Sequence, residues 1–347
     1  MKYKLLAVSV DTGEHVNIGD YIQALAAAQF LPEVDGFVQR ERLKEYDGEA
    51  CKVIMNGWYM HHTEHWPPSD KIKPLFVAFH INASAKEGML TEDSINYIKK
   101  FQPIGCRDYF TRDLLVSKGV DAYFSACLTL TLGMTYKSED KDGKCYFVDP
   151  FIPKGRKGVD EICNTLWLLS HCNKWNSIEK IARKLPYKKN FKKRIVACRF
   201  YRAYIRLFTE DTLLEAEYIS QQNVGYRKKY DTEQERLCEA RRLVGKYAKA
   251  GLVVTSRIHC ALPLETPVIL TENSGQSEKK ACRMSGIRDF FNIISMDGNR
   301  FKTNFKFSKK CKISTSNLPP PMAGDLWREY SGRLIDTCKN FISRDVD

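Results

Sequence analysis

Short apolar runs alternate with amphipathic segments along most of the chain. "KLLAVSV" is a compact strand, and "DTGEHVNIGD" is a turn-rich polar loop. "YIQALAAAQFL" follows, with Ile22, Leu25, Ala26 and Phe30 at helical spacing and Asn17 or Asp20 placed as a cap. "GFVQRERL", "CKVIMNGWYM" and "PLFVAFHI" read as further strands, and "TEDSINYIKKF" as a helix with a threonine cap. "PIGC" runs as a strand into Arg107-Asp108, then a helix extends to about Ser117 and is stopped by Gly119. "AYFSACLTLTL" is another strand.

The second half repeats this rhythm. "GKCYFVDP" opens it, and helices are predicted over 158–184 and near 199–222. "DTEQERLCEARRLVGKYAKA" is a helix stopped by Gly251, and "LVVTS" and "TPVILTEN" are buried strands. "SGIRDFFNII" reads as a short helix, "SNLPPPMAG" as a proline-rich link and "DLWREYSGRLIDTCKNFI" as an amphipathic helix. Strands alternating with helices imply an α/β protein with parallel, doubly wound sheets. A chain of 347 residues suits two domains. The polar stretch "YKSEDKDG" divides it into 1–138, 139–320 with inserted basic helices, and a C-terminal helix in 321–347.

Composition narrows the picture. Hydrophobic residues make up 43% and aromatics 12%, a globular balance. No stretch approaches the roughly 20 apolar residues that span a bilayer. The N-terminus has no export signal, so a cytoplasmic location is expected. The 12 cysteines form no C-x-x-C pair and lie scattered in apolar segments, which suits reduced, buried thiols. No metal site is expected.

Net charge is +13, which suits an anionic partner. From Lys180 to Arg206 there are eleven Lys and Arg and no acid, interleaved with Tyr187, Phe191, Phe200, Tyr201 and Tyr204. That run fits either an ordinary solvated pair of basic helices or peripheral docking on anionic lipid headgroups or a lipid diphosphate at the inner membrane face. No nucleic-acid-binding module is recognisable, so no nucleic-acid partner is expected.

In open parallel sheets ligands bind outside the carboxyl ends of the strands. The polar residues falling there are Asn17, Gly19 and Asp20; Asn56 and His61; His80 and Asn82; Arg107 and Asp108; Ser125 and Thr129; Ser256, Arg257 and His259; and Glu272, Asn273 and Ser274. "NIGD" sets backbone amides at a helix start, which suits an anion, yet it is neither G-x-G-x-x-G nor a Walker sequence. Arg107 beside Asp108 is as readily a plain ion pair as an anion ligand. "VVTSRIHCALP" is the sharpest feature. Arg257 offers a fork for phosphate or carboxylate, and His259 two residues on leans the same way in an extended chain. A bound anion would hold the proton of such a histidine, whereas a lone histidine is also a common core residue.

Three segments, "NIGDYIQALA", "IGCRDYFTRDLLVSKGVDAYFSACLTLTL" and "VVTSRIHCALP…TPVIL", together resemble the polysaccharide pyruvyl transferase family over roughly residues 5–295. The resemblance implies two Rossmann-like domains with parallel sheets, resembling the GT-B glycosyltransferases, and a site in the cleft between them. It implies phosphoenolpyruvate as donor, a sugar or lipid-linked oligosaccharide as acceptor, a pyruvate ketal as product, and no cofactor. On this resemblance His259 is the expected general acid, Arg257 and Arg107 are anion ligands, and Asp20 attends the acceptor hydroxyl. Ser256, Asn17, Gly19, His80 and Asn273 are expected around the substrates. Trp58, Tyr59 and His61 of "NGWYMHH" replace a glycine-rich turn and offer rings to stack on an acceptor sugar. Glu265 in "ALPLETPVIL" stands where the family has glycine, placing a carboxylate where it would weaken donor binding. Two other functions fit the same chain: a GT-B glycosyltransferase using a nucleotide sugar, with Glu272 on the ribose, and a catalytically weakened binding protein of a polysaccharide assembly complex.

Overall fold

The structure is a computed structural model and describes residues 1–8, 16–154, 158–186, 191–223, 229–261, 266–275, 282–298, 300–308, 310–319 and 326–344. Strand β1 (Lys2–Ala7) runs parallel to β3 (Phe37–Gln39) on one side and β4 (Cys51–Ile54) on the other, and β6 (Ile72–Leu75) extends the sheet beyond β4. The ladder then continues past a break. Met55 N donates to Leu75 O and Gly57 N to Ala78 O, leading into β5 (Gly57–Tyr59) and β7 (Phe79–Ile81). Those two join β8 (Ile104–Cys106) and β9 (Ala122–Phe124) in the order β5-β7-β8-β9. "CKVIMNGWYM" and "PLFVAFHI" are therefore each two strands rather than one. Gly57 at φ 125° and Ala78 at φ 52° turn the backbone at the step, a conformation that favours glycine at the first position.

The second sheet has the order β11-β10-β13-β14-β15-β16. It comprises β10 (Cys145–Val148), β11 (Glu217–Ile219), β13 (Leu252–Thr255), β14 (Val268–Asn273), β15 (Asn292–Asp297) and β16 (Arg300–Thr303). All pairs are parallel except β15–β16, so the expected all-parallel sheet carries one antiparallel edge strand. The architecture is thus two Rossmann-like α/β domains facing each other in the GT-B manner. Within Gly286–Ile294, only Ile287–Phe290 is helical, and "NII" begins β15. The β-branched residues Ile293 and Ile294 are buried in the sheet, which overrides the helical reading of a short apolar run. The region 199–222 also departs from expectation. Helix α6 (Phe191–Tyr204) starts earlier, Glu210–Glu215 forms a second short helix, and the chain then forms β11 and the two-residue β12 (Gln222–Asn223).

Helix α1 (Ile18–Ala28) opens on Asn17, whose Oδ1 accepts from Gly19 N, and packs on α7 (Glu233–Lys249) of the second half. Tyr21, Leu25, Leu237, Ala240 and Val244 lie in one apolar core, so the two halves share buried surface. A capping box, Thr232 with Glu235, fixes the start of α7. The last helix, α8 (Leu326–Ser343), returns to the first half: Lys52 Nζ donates to the carbonyls of Phe341, Ile342 and Arg344, and Ser331 Oγ to Leu130 O.

The basic segment folds as α5 (Trp175–Lys184) and α6. Phe200, Tyr201 and Tyr204 are buried in the second core beside Phe147 and Phe208, so these aromatics are packing residues. Tyr187 lies outside the described residues, as does Glu265. Among the described residues, no helix is long and apolar enough to cross a membrane, and no cluster of three His, Cys, Asp or Glu side chains forms a metal site. All twelve cysteines are free thiols.

Candidate active site

A cleft of about 840 Å³ opens between the two halves. Its floor is built where an N-terminal helix start meets a C-terminal strand end. β2 (Val16–Asn17) pairs antiparallel with β12, with Asn17 opposite Gln222, and Ile18 N donates to Gln221 O. This small ladder aims the N-terminus of α1 into the cleft, placing Asn17 and Asp20 on its lining. Gly19 faces the other half directly. A Cβ there would stand 3.0 Å from Gln221 Oε1 and 3.5 Å from His259 Nδ1.

Arg257 and His259 both line the cleft, but not as neighbours on an extended strand. β13 ends at Thr255, and Ile258–Ala261 form a single helical turn. Thr255 Oγ1 accepts from Arg257 N at this corner. The helical turn therefore sets the two side chains, rather than the two-residue strand period. Arg257 is steadied by Gln222 Oε1 at 2.7 Å from Nη2 and by Asp149 Oδ2 at 3.3 Å from Nε. Asp149 sits at φ 41° and also accepts from Gln221 N, so one carboxylate holds both sides of the corner.

Arg107 reaches the cleft from the end of β8 and is only 1% exposed. Its Nε and Nη2 are buried without a hydrogen-bond partner, and its nearest acid is Asp108 Oδ2 at 3.6 Å from Nε. A buried guanidinium with unmet donors is costly unless an anion completes it. Arg283, from a single 3₁₀ turn (Cys282–Met284), adds a third cation to the lining. Surrounding walls desolvate it and Arg107 repels it, both lowering its pKa, while the residue itself stays open to the cleft.

His259 sits among these cations. Its Nε2 is sealed from solvent and has no hydrogen-bond partner. Desolvation first, then repulsion by Arg107, Arg283 and Arg257, hold its pKa well below the ordinary histidine value. Desolvation and the arginines thus favour the neutral ring, and anions that offset the arginines favour its protonation.

The sequence profile of the polysaccharide pyruvyl transferase family matches residues 17–263, more than half of the chain. The chain belongs to this family. No curated protein and no solved structure matches it. Membership makes this protein a transferase of polysaccharide pyruvylation.

In this pyruvyl transferase most of the anticipated residues meet in one cleft. Asn17, Asp20, Arg107, Ser256, Arg257, His259 and Asn273 all line it. Gly19 supports it from behind through its close approach to His259. Ser256 Oγ is committed to Asp149 O at 2.6 Å, and Asn273 Oδ1 accepts from Gly275 N. His80 departs from expectation. It is buried behind the lining, with Nδ1 2.6 Å from Asp108 Oδ2 and 3.2 Å from Thr111 Oγ1. Burial and Arg107 push its pKa down to about 4 despite Asp108. Its place at a strand end was legible. The inward turn of its side chain onto the Asp108 helix cap was not. Tyr59 is likewise a core residue, whereas Trp58 and His61 line the cleft beside Arg40. The Arg40 guanidinium lies 4.7 Å from the Trp58 ring centre, and the His61 ring is edge-on at 4.5 Å.

Sequence reasoning missed Arg40, Asp149, Gln221, Gln222 and Arg283. Arg283 gave one faint signal, a lone arginine in the run of basic and small residues "SEKKACRMS". Gln221 and Gln222 carried none, because their segment was taken for helix.

Proposed function

We propose that this protein transfers the pyruvyl group of phosphoenolpyruvate to two hydroxyls of a sugar in a surface-polysaccharide precursor, closing a pyruvate ketal. The observation that carries this reading is the convergence of Arg107, Arg257 and Arg283 around His259, whose pKa they and its burial depress, in one cleft. Phosphoenolpyruvate carries a phosphate and a carboxylate on one small carbon frame. Three guanidinium groups match that charge, and Arg107 has donors awaiting acceptors.

Donor binding brings negative charge beside His259 and raises its proton affinity. The imidazolium then gives its proton to the methylene carbon, and the adjacent carbon becomes oxocarbenium-like. The arginines keep the phosphate and carboxylate in place as this charge develops. A sugar hydroxyl adds to that carbon and gives its proton to Asp20. The carbon–oxygen bond to phosphate breaks, and a second hydroxyl closes the ring. Its proton resets His259, while the Asp20 proton leaves with phosphate. Asp20 is suited to this by its place in the first turn of α1, where Gln23 Nε2 donates to its Oδ1 at 3.3 Å. The acceptor approaches from the Trp58 and His61 side, where an indole offers an apolar face to a sugar ring.

A nucleotide-sugar glycosyltransferase is less well supported. Glu272, the acid expected on a ribose, already accepts from Arg288 Nη2 and Ser295 Oγ, both at 2.7 Å. The deciding experiment mixes the protein with phosphoenolpyruvate and a panel of sugar acceptors and follows phosphate release. Release with at least one acceptor, abolished in His259→Ala, is the expected result. No release with any acceptor, together with an unchanged melting temperature on adding phosphoenolpyruvate, would overturn the proposal.

A further inference from the structure

Helix α4 (Val159–Ser170) carries an apolar stripe on the face it turns away from the protein. Val159, Ile162, Leu166 and Leu169 are 58 to 72% exposed, and Trp175 just beyond the helix is also exposed. At about 100° per residue these four positions fall within an arc of about 80°. The opposite face holds Asn164 and Leu168 against the second core, where Arg202 Nη1 donates to Asn164 Oδ1 at 2.6 Å. The helix is therefore already packed on one side, and the outward stripe is extra apolar surface that water alone would cover. Soluble surfaces seldom carry such a contiguous patch without a partner.

We propose that α4 docks this protein on an anionic lipid surface, lying in the plane of the headgroups. Charge selects this occupant. Lys154, Arg156 and Lys157 precede the helix in sequence, and the acid-free run of eleven basic residues from Lys180 to Arg206 follows it. The described part of that run lies in the second half of α5, in α6 and just past it, and α6 is the helix on which α4 packs. A second copy of the chain joined through the same patch would bring two such cationic runs together, and their repulsion opposes that pairing. An anionic bilayer answers both features, taking the apolar stripe into its acyl boundary and the cations at its phosphates. Trp175 stands where an indole suits the headgroup layer. The inference is independent of the chemistry proposed for the cleft.

The test is co-sedimentation of the full chain with vesicles of phosphatidylcholine alone and of phosphatidylcholine mixed with phosphatidylglycerol. Wild type is expected to sediment with the anionic vesicles, weakly with the neutral ones, and less as salt rises. The double variant Ile162→Glu/Leu166→Glu should bind anionic vesicles at least about ten-fold more weakly, because the loss of two inserting apolar side chains and the two added negative charges both count against insertion. Both positions are exposed, so an unchanged melting temperature and circular dichroism spectrum would show that the fold is kept. Should the variant lose its fold, Leu166→Ser is read in its place, with a fall of several-fold expected. Failure of wild type to bind anionic vesicles overturns the proposal. So does equal binding by a folded variant, or a wild-type dimer in light scattering that the substitution converts to monomer.

Discussion

Gly19 and His259 come from opposite halves of the molecule, yet a Cβ on Gly19 would lie 3.5 Å from His259 Nδ1. It would lie closer still to Gln221 Oε1, at 3.0 Å, and to Asn17 Oδ1, at 3.1 Å. The glycine is what lets the N-terminus of α1 seat against the helical turn that carries His259.

Gly19→Ala tests that seating. Alanine favours a helix over glycine by roughly 1 kcal/mol, so the fold should survive with a melting temperature near that of wild type. The methyl group must displace the Gln221 and Asn17 side chains and would rest in van der Waals contact with the imidazole. Donor affinity should fall several-fold, read as a smaller thermal shift at a fixed phosphoenolpyruvate concentration. A variant with an unchanged thermal shift would show that the close approach does not matter to the site.

Arg107 sets the state of His259. It is the first of the charges that depress the imidazole, after desolvation itself. Arg107→Met removes that charge while keeping most of the volume. His259 should then titrate at higher pH, moving back toward the ordinary histidine value, as followed by NMR of the imidazole protons. The same variant should lose thermal stabilisation by phosphoenolpyruvate. A His259 titration that does not move would show that burial alone holds the ring neutral.

The outline of the site was legible because strand ends in parallel sheets are where polar residues gather. Asn17, Asp20, Arg107, Arg257 and His259 were all found that way. What was not legible depends on contacts between distant segments. Arg283 reaches the cleft from a 3₁₀ turn with no periodicity to announce it. Gln222 enters through a two-residue ladder with Val16–Asn17, and Gln221 just before it accepts from Ile18 N, a contact too short to leave a strand pattern. His80 had the right position on its strand, but the direction of its side chain is fixed by Asp108, the cap of the helix α3 (Tyr109–Val116). In the fold, the broken strands and the edge strand β16 escaped for a similar reason. Breaks at Gly57 and Ala78 depend on sheet twist, which a run of apolar letters does not record.

Burial of His80 beside Arg107 predicts a pH dependence of stability. His80 has a pKa of about 4 when folded and an ordinary value near 6.5 when unfolded. Between those values the unfolded chain binds the extra proton, so stability rises with pH across that window and falls as pH drops from about 6.5 toward 4. Below the lower value the contribution stops growing. His80→Asn removes the titration, so the slope of denaturation free energy against pH should flatten by up to about one proton across this range, a total of about 3 kcal/mol. His259 adds a slope of the same sign, so the experiment compares the variant with wild type. Equal slopes in the two proteins would mean that His80 is not held neutral by the fold.

Lys52 predicts how the C-terminal helix is held. It is 2% exposed, and its ammonium donates to the carbonyls of Phe341, Ile342 and Arg344 at the C-terminal end of α8, where the last carbonyls of a helix lack intrahelical partners. The positive charge also complements the negative end of the helix. Lys52→Met keeps the apolar stem in place and removes all three hydrogen bonds. Water can reach part of the exposed helix end and satisfy some of those carbonyls, so the expected loss is about 2 kcal/mol rather than the full sum of three bonds. That should lower the melting temperature by a few degrees. Limited proteolysis should also cut more readily within the last turn of α8 in the variant, since that end is the part Lys52 holds. The substitution lies away from the cleft, so the phosphoenolpyruvate-induced thermal shift should be unchanged; a melting temperature equal to wild type would show that water holds the end of α8 as well as Lys52 does.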